Sequence, residues 1–381
     1  MGPMTDPASP APALPRPRWD IFCRVVDNLG DIGVCWRLAR QLATEHDLAV
    51  RLWVDKPEAL APLLPGFVPS IASQALEGVR IERWGEPLVF DQVADVVIEA
   101  FACDPPEAYL EAMARRPRPP CWVNLEYLSA EAWVAGCHGA ASPHPRLPLT
   151  KFFFFPGFVP GTGGLLRERG LLARREAFGA RGGASRFLDE LGLACEPGTL
   201  RISLFCYDTA PLAGLLAAWQ QHPLPLLCLV PPGKPMAGMR QLLGGDGPWQ
   251  LGPVRIVPIP FLPQARFDAL LWSCDLNFVR GEDSFVRAQW AGKPLVWHIY
   301  PQENEAHVEK LDAFLALYDA PAPMVDLWRA WNGLGGDLPS GWKAFHQTLP
   351  GLQTQAEQWC RSLAAQDDLA KTLVKFCASR V

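Results

Sequence analysis

The sequence is poor in the features that mark exported, membrane-spanning and metal-binding proteins. No apolar run approaches the ~18 residues of a membrane-spanning helix, and the N-terminus lacks the charged and apolar segments of a secretory leader. The eleven cysteines include no C-x-x-C pair and no Cys/His spacing typical of a metal site. Cys206, Cys228 and Cys274 lie within apolar runs, as buried free thiols do. We therefore expect an unexported, cytoplasmic protein that binds no metal and no membrane.

An excess of basic residues is also missing. The net charge is −5 at pH 7, so we expect no nucleic-acid partner. With 49% hydrophobic and 20% charged residues, the composition is that of a globular protein with large cores. A chain of 381 residues is too long for one ordinary core, which indicates two domains. Residues 1–17, rich in proline and alanine, are predicted to be a disordered tail.

Short apolar runs alternate with amphipathic segments in both halves of the chain, which predicts α/β domains with parallel sheets. The expected strands are Trp19–Val26, Ala49–Val54, Val79–Trp84, Val96–Phe101, Cys121–Leu128 and a buried Lys151–Phe155 in the first half, and Leu200–Cys206, Leu224–Val230, Val254–Ile259, Asp275–Val279 and Leu295–Ile299 in the second.

The most informative stretch, residues 275–302, reads as a strand, a polar loop, a helix and a second strand. The loop follows a strand, at the edge where open α/β sheets bind ligands. A helix start near Glu282, with its free N–H groups and the Ser284 hydroxyl, favours an anion. Arg280 can fork onto phosphate oxygens. Glu282 and Asp283 are alternatively simple helix caps.

A second informative loop runs from Asp27 to Gly33, before a helix predicted at Val34–His46. It is neither a dinucleotide fingerprint nor a P-loop, because G-x-G-x-x-G and G-K-[ST] are absent from it. Asp27 and Asp31 are four residues apart, and a tight turn can aim both carboxylates at one spot. Alternatively the loop is a capped turn, in which Asp31 is the N-cap and the glycines supply positive φ.

A basic run at Arg167–Arg175 (RERGLLARR) has two readings. It is either the solvated face of a helix or a patch for an acidic protein partner. A final helix is predicted at about Asp367–Ser379, attached to no strand.

Three segments together resemble one family. They are WDIFCRVVDNLGDIGVCWRLARQLA, the strand end FCYD and NFVRGEDSFVRAQWAGKPLVWHIYPQ. They closely resemble EarP, the protein-arginine rhamnosyltransferases of elongation factor P, and the likeness runs from about Trp19 to the C-terminus. The resemblance implies a GT-B fold, in which two Rossmann-like domains face each other across a cleft. It implies residues 18–185 as the N-terminal acceptor domain, 196–362 as the nucleotide-sugar domain and 363–381 as a helix returning to the first domain.

The activity implied by the resemblance is inverting transfer of L-rhamnose from dTDP-β-L-rhamnose to one arginine of elongation factor P, which then relieves ribosomes stalled at polyproline. No cofactor beyond the donor substrate is implied. Asp31 matches the family's base, Asp27 an earlier essential aspartate and Glu282 the second catalytic carboxylate. The donor-binding residues implied in the same way are Asn28, Leu29, Gly30, Asp31, Phe205, Tyr207, Gln264, Ala265, Arg266, Phe267, Arg280, Gly281, Glu282, Asp283 and Ser284.

The residue types suit this chemistry. A guanidinium is a charged, delocalised and poor nucleophile, so it needs carboxylates that hold it and take its proton. Asp27 and Asp31 form such a pair. The leaving diphosphate needs fixed positive charge, which Arg280, Ser284 and the helix start at Glu282 supply without a metal. Which of the two aspartates takes the proton stays open at this point.

Two other functions are compatible with the same fold. One is a glycosyltransferase with a lipid or cell-wall acceptor, which usually has an apolar or basic membrane-docking patch. The other is a regulator that binds a nucleotide sugar without catalysis. Clustered carboxylates at two facing loops argue against it, since a binder of an anion gains nothing from them.

Overall fold

The computed structural model describes residues 16–27, 29–85, 87–302 and 305–380, which form two α/β units, each built on a mainly parallel sheet. The first unit comprises β1 (Arg18–Cys23), α1 (Gly30–Glu45), β2 (Ala49–Val54), a 3-10 turn (Pro57–Ala59), β3 (Ser73–Leu76), β4 (Val79–Arg83), β5 (Val96–Ala100), α2 (Glu107–Ala114), β6 (Cys121–Leu125), α3 (Val134–Cys137), β7 (Ala141–Pro143) and β8 (Thr150–Phe154).

The second unit and its flanking helices follow. They are α4 (Leu171–Ala180), α5 (Gly183–Glu190), β9 (Leu200–Leu204), α6 (Leu212–Gln220), β10 (Leu226–Val230), α7 (Lys234–Leu243), β11 (Trp249–Leu251), β12 (Val254–Pro258), α8 (Gln264–Ser273), β13 (Leu276–Arg280), α9 (Asp283–Ala291), β14 (Leu295–His298), α10 (Ala306–Leu317), α11 (Ala322–Trp331), α12 (Leu338–Ala364) and α13 (Leu369–Ala378).

The order of strands in each sheet determines where ligands can bind. The first sheet runs β3-β4-β2-β1-β5-β6-β8-β7, and β1 pairs in parallel with β2 on one side and β5 on the other. The second runs β11-β12-β10-β9-β13-β14, with β9 between β10 and β13. In a doubly wound sheet the crevice lies beyond the carboxyl ends of the central strands. The loops that follow β1 and β13 therefore occupy the crevice edge of their sheets.

Continuous apolar runs form the central strands because helices cover both faces of these sheets. Every residue of β5, β6 and β10 is buried. The edge strands β3, β7 and β11 pair antiparallel, and they are short and partly exposed. Sequence patterning did not predict them, since they have little apolar content of their own. The strand expected at Lys151–Phe155 is β8, but only its last residue, Phe154, is buried.

The C-terminal helix α13 lies against the first sheet. The Phe376 ring packs edge-on against Phe152 and Phe154 of β8, with ring centroids 5.8 and 5.5 Å apart. The Leu369 N–H donates to the Leu165 carbonyl. Within the described ranges, no helix has both the length and the apolar content needed to cross a bilayer.

The basic run at Arg167–Arg175 is used internally. Arg167 donates to the carbonyl oxygens of Ala364 and Gln366, at 2.9 and 3.1 Å. Arg175 donates to the Trp290 carbonyl at 2.7 Å. Two of its guanidinium groups therefore join segments that are distant in sequence, whereas Arg169 and Arg174 are exposed, and the partner patch stays a prediction.

Candidate active site

Asp31 lies in the first turn of α1, where its carboxylate ties the preceding loop to the helix. Its Oδ2 accepts hydrogen bonds from the N–H groups of Val26 and Asp27 at 2.8 and 2.9 Å, and its Oδ1 accepts one from the Tyr127 hydroxyl at 3.2 Å. Burial first, and then the charge of Asp27, raise the pKa of Asp31 despite these hydrogen bonds. The alternative that Asp31 is the N-cap is wrong, because Leu29 occupies that position.

Neither glycine of this loop has positive φ, and a close contact explains only Gly30. Gly30 and Gly33 both lie within α1, which begins four residues earlier than the sequence predicted. A Cβ on Gly30 would lie 2.7 Å from Oδ2 of Asp27, and one on Gly33 would lie 3.4 Å from Oδ2 of Asp283. The expectation that these glycines supply positive φ is therefore wrong. The lack of a side chain at Gly30 lets the Asp27 carboxylate approach the start of α1, whereas a Cβ on Gly33 would make an ordinary van der Waals contact.

An aromatic pair that sequence reasoning missed lies beside Asp31. Phe101 and Tyr127 follow β5 and β6, and their rings stack with centroids 4.3 Å apart and planes 12° apart. Phe101 and Ala102 hold left-handed φ values of 57° and 53°, a strained arrangement for residues with side chains. The Lys310 ammonium lies 5.8 Å from the centre of the Tyr127 ring. The only available signal was that both rings follow buried strands.

In the second unit, Arg280 ends β13 and its guanidinium lies over two aromatic rings. It is 4.5 Å from the centre of the Phe205 ring and 4.7 Å from that of Tyr207. Within the part of the chain that the structure describes, no carboxylate forms an ion pair with it. The Ser284 hydroxyl donates to the Arg280 carbonyl and accepts from its N–H, which folds the loop tightly. The positive charge of Arg280 is therefore available to an anion.

The two carboxylates at the start of α9 have different surroundings. Glu282 accepts a hydrogen bond from the Leu128 N–H at 2.9 Å, and burial raises its pKa to about 8 against that bond, with the charge of Asp31 adding to the rise. Asp283 accepts from Arg37 at 2.7 Å and from Arg287 at 3.2 Å. Burial opposes ionisation of Asp283, but the two arginines lower its pKa overall. Glu282 occupies the N-cap position of α9, but its side chain makes no capping hydrogen bond, so the alternative of simple caps holds for the position and not for the hydrogen bond.

Tyr207 connects the two halves of the site. Its hydroxyl donates to Oδ2 of Asp27 at 2.7 Å, and its N–H donates to Nδ1 of His298 at 3.2 Å. Burial first, and then the charge of Asp27, raise the pKa of Tyr207, so it remains a donor. Burial, with Arg280, lowers the pKa of His298 to about 4, so this imidazole is neutral. Gly281, at φ 58°, leaves room for the contact, because a Cβ there would lie 2.7 Å from the Tyr207 oxygen.

One cavity extends from Arg280 into an apolar end. Its apolar walls are provided by residues of both units, including Leu29, Leu63, Phe205, Phe261, Leu262, Phe267 and Leu270. Phe205 and Phe267 meet edge to face, with centroids 5.9 Å apart. The buried Gln264, at the start of α8, donates to the Gly33 carbonyl and to Asp283, both at 3.3 Å. We call this space the donor cavity.

Five residues expected at the donor site do not line the donor cavity or lie outside the description; two of them, Asp31 and Tyr207, make the contacts given above. The Arg266 guanidinium is exposed, forms an ion pair with Glu190 and lies over the Phe187 ring, so it is not part of the donor cavity wall. Ala265 belongs to α8, and its side chain lies outside what is described. Asn28 falls outside the described residues.

A second cavity adjoins the first on the side of α1. Its lining includes Asp31, Phe101, Tyr127, Tyr300 and Lys310. Both cavities share one set of residues, namely Asp27, Gly30, Gly281 and Glu282. We call this second space the acceptor cavity. The predicted catalytic carboxylates therefore lie around the boundary between the two cavities. No group of three or more potential metal ligands occurs among the described residues.

Two facing Rossmann-like domains, with loops from both meeting at one cleft, define the GT-B fold. Comparison with solved structures gives the same fold. The spinosyn rhamnosyltransferase SpnG complexed with thymidine diphosphate matches with a TM-score of 0.50 at 12% identity, covering 94% of this chain and 99% of that one. At that identity the likeness shows the fold alone.

The family follows from comparisons at higher identity. The model of the family described as elongation factor P (EF-P) rhamnosyltransferase EarP matches residues 19–378. Protein-arginine rhamnosyltransferase of Pseudomonas putida is 54% identical, covering 94% of this chain and 98% of the relative, and that of Pseudomonas aeruginosa is 49% identical with the same coverage. A structure from work on EarP-mediated arginine glycosylation of translation elongation factor EF-P matches with a TM-score of 0.65 at 40% identity, covering 96% and 99%. The chain belongs to the EarP family.

Proposed function

We propose that the chain transfers L-rhamnose from dTDP-β-L-rhamnose to an arginine of elongation factor P, with inversion at the anomeric carbon. The observation that carries this proposal is the boundary between the two cavities. Asp27 and Glu282 line both the cation-bearing donor cavity and the acidic acceptor cavity. A sugar held at this boundary has the diphosphate on one side and the carboxylates on the other, as a single displacement requires.

The donor cavity suits a pyrimidine nucleoside diphosphate sugar. Arg280 has no carboxylate partner in the described ranges and faces the cavity, next to the N–H groups at the start of α9. An anionic diphosphate is favoured there. The apolar end offers the rings of Phe205 and Phe267 to a base, since aromatic faces and edges bind planar rings well. The apolar walls also suit the methyl group of thymine.

The acceptor cavity suits a guanidinium. Its polar lining includes Asp31 and Glu282, and the stacked Phe101–Tyr127 pair supplies a flat aromatic surface. Guanidinium groups both pair with carboxylates and stack on aromatic rings. A lipid or cell-wall acceptor has no use for this acidic lining. The alternative of a non-catalytic regulator leaves the acidic boundary without a role.

The proposed reaction is one displacement. A guanidinium nitrogen of the acceptor attacks the anomeric carbon and forms a C–N bond as the bond from that carbon to the diphosphate oxygen breaks. The nitrogen gives up a proton to Asp31, whose raised pKa makes it a stronger base than an exposed aspartate. Asp27, held by the Tyr207 hydroxyl, orients the cation. Arg280 and the start of α9 stabilise the charge that develops on the leaving dTDP.

We further propose that the reaction takes place in the cytoplasm without a metal. All eleven cysteines are free thiols, which suits a reducing compartment. Arg280 and the helix start provide the positive charge that a divalent cation otherwise supplies to a diphosphate.

Intact-mass spectrometry of purified elongation factor P, incubated with the protein and dTDP-β-L-rhamnose, tests the proposed function. We expect one deoxyhexose on the wild-type acceptor and none after Arg→Lys at the modified position, because an ammonium is a point charge that cannot fork across carboxylates. Equal labelling of the lysine variant contradicts the proposed acceptor. No transfer to the wild-type acceptor contradicts the proposed activity.

A further inference from the structure

A buried ionic network joins the two domains directly behind the active site. Arg37, on α1, has no exposed surface. Its Nε and Nη2 donate to the two oxygens of Glu168 at 2.8 and 2.9 Å, and its Nη1 donates to Oδ1 of Asp283 on α9 at 2.7 Å. All three nitrogens of this guanidinium therefore donate a hydrogen bond. The hydrogen bond to Asp283 joins the first domain to the second.

The network continues on the side of the second domain. Arg287 donates to Asp283 at 3.2 Å and to Asp268 at 2.9 Å. Arg40 reaches Glu168 at 3.5 Å. The network contains three arginines and three carboxylates, namely Arg37, Arg40 and Arg287 with Glu168, Asp268 and Asp283, and Arg40 also pairs with the exposed Glu77 at 3.3 Å.

The position of the network relates it to catalysis. Arg37 is on the helix whose first turn bears Asp31, and Asp283 directly follows Glu282. Gly33 lies between Asp31 and Arg37 on α1, and a Cβ on it would lie 3.4 Å from Oδ2 of Asp283. The network therefore fixes two helix starts against each other, one that carries the acceptor-side carboxylate and one that faces the donor.

We propose that Arg37 is a positioning residue for the transfer reaction, which holds the start of α9 in register with the Asp27–Asp31 loop. The inference rests on the proposed function. Arg37 touches neither cavity, so it acts through Asp283. Arg280, Phe205 and Phe267 line the donor cavity from the second domain and make no hydrogen bond or ring contact with Arg37. Loss of Arg37 should therefore misalign donor and acceptor while leaving the nucleotide bound.

The test compares Arg37→Lys with a matched control inside one domain. Arg51 is buried, forks onto Asp20 at 2.7 and 2.6 Å and also pairs with Asp91, but all of these partners belong to the first domain. For Arg37→Lys we expect kcat for transfer to fall on the order of 10–100-fold, since small misplacements of reacting groups have effects of that size. The dTDP dissociation constant should change by less than about threefold. Arg51→Lys should lose comparable thermal stability and keep its kcat.

A second readout separates positioning from general stability. The ratio of donor hydrolysis to arginine transfer should rise in Arg37→Lys, because water can replace an acceptor that is out of line. Glu168→Gln, which contacts the site only through Arg37, should shift that ratio in the same direction and serves if Arg37→Lys does not fold. The inference is overturned if the wild-type protein transfers rhamnose and the folded variants keep both its kcat and its ratio of donor hydrolysis to arginine transfer. Absence of transfer by the wild-type protein overturns the proposed function instead.

Discussion

The loops Asp27–Asp31 and Arg280–Ser284 have the same architecture and opposite chemistry. Each follows a parallel strand and starts a helix. In the first loop, Asp31 accepts hydrogen bonds from two N–H groups of the same loop, so the carboxylate is fixed where burial keeps it basic. In the second, Arg280 lies on aromatic faces and its charge remains available. The same strand–loop–helix arrangement therefore holds a basic carboxylate in the first loop and a guanidinium available to an anion in the second.

Each of the two loops also depends on a contact from the opposite domain. Tyr207 belongs to the second domain but donates to Asp27 of the first, and Leu128 of the first donates to Glu282 of the second. Two of the three predicted catalytic carboxylates, Asp27 and Glu282, are therefore held by the opposite domain. Catalysis should depend on the relative placement of the domains as well as on the residues of each loop.

The largest expected effect follows from removing the base. Asp31→Asn keeps an oxygen for the N–H groups of Val26 and Asp27 but cannot take a proton, so kcat should fall by about 10²–10⁴-fold. The dTDP affinity should stay close to wild type, because the diphosphate site is on the other loop. Calorimetry with dTDP and a transfer assay measure the two quantities.

Asp55→Asn is the matched control for that loss. Asp55 accepts the Val25 N–H at 2.8 Å and thus ties the same loop from the other side, but it lines neither cavity. Its activity should remain near wild type. Equal losses of dTDP affinity in Asp31→Asn and in a donor-loop variant would remove the distinction between the two loops.

The second effect in size concerns the donor loop. Arg280→Ala removes a charged contact to the diphosphate, which typically contributes about 1.5–3 kcal/mol, so dTDP should bind on the order of 10–100-fold more weakly. Arg266→Ala is the control on the same surface, because this guanidinium is exposed and paired with Glu190. We expect it to change dTDP affinity by less than about twofold. A comparable loss in both variants would show that Arg266 turns toward the nucleotide when the donor binds.

The sequence was most informative where function depends on residues close together in the chain. The strand–loop–helix units at Asp27–Gly33 and at Arg280–Ser284 were predicted because turn residues, apolar runs and polar loops are local signals. The GT-B fold was identified from the family resemblance and is confirmed by structural comparison. Boundaries were less accurate, as the early start of α1 at Gly30 shows.

The rest of the site depends on contacts between distant residues. Arg37 meets Glu168 across 131 positions and Asp283 across 246. Tyr127 reaches Asp31 across 96 positions. Nothing in the local sequence around Arg37 distinguishes it from an exposed helical arginine. The reason for Gly30 was equally hidden, since a close approach by a folded-back carboxylate leaves no periodic signal.

A smaller effect should appear in the pH dependence of stability. Burial raises the pKa of Glu282 to about 8, whereas an unfolded glutamate titrates near about 4.3. The folded protein therefore keeps this proton where the unfolded chain has lost it, and stability falls as pH rises from about 4.3 toward 8. Glu282→Gln should flatten this decline in thermal melts between pH 5 and 8. Glu168→Gln is the control, because the lowered pKa of Glu168 lies below that window. An equal flattening in Glu168→Gln would contradict the assignment of the decline to Glu282.

The smallest expected effect is that of chelation. Asp283, an acidic residue of the donor loop, is already neutralised by Arg37 and Arg287 and also accepts a hydrogen bond from Gln264. The charge of a bound diphosphate is met by Arg280 and the start of α9. Transfer by protein treated with excess EDTA should therefore proceed at the untreated rate, measured as the initial rate of deoxyhexose addition. A stepwise restoration by Mg²⁺ or Mn²⁺ after chelation would mean that the donor loop does not carry the diphosphate charge alone.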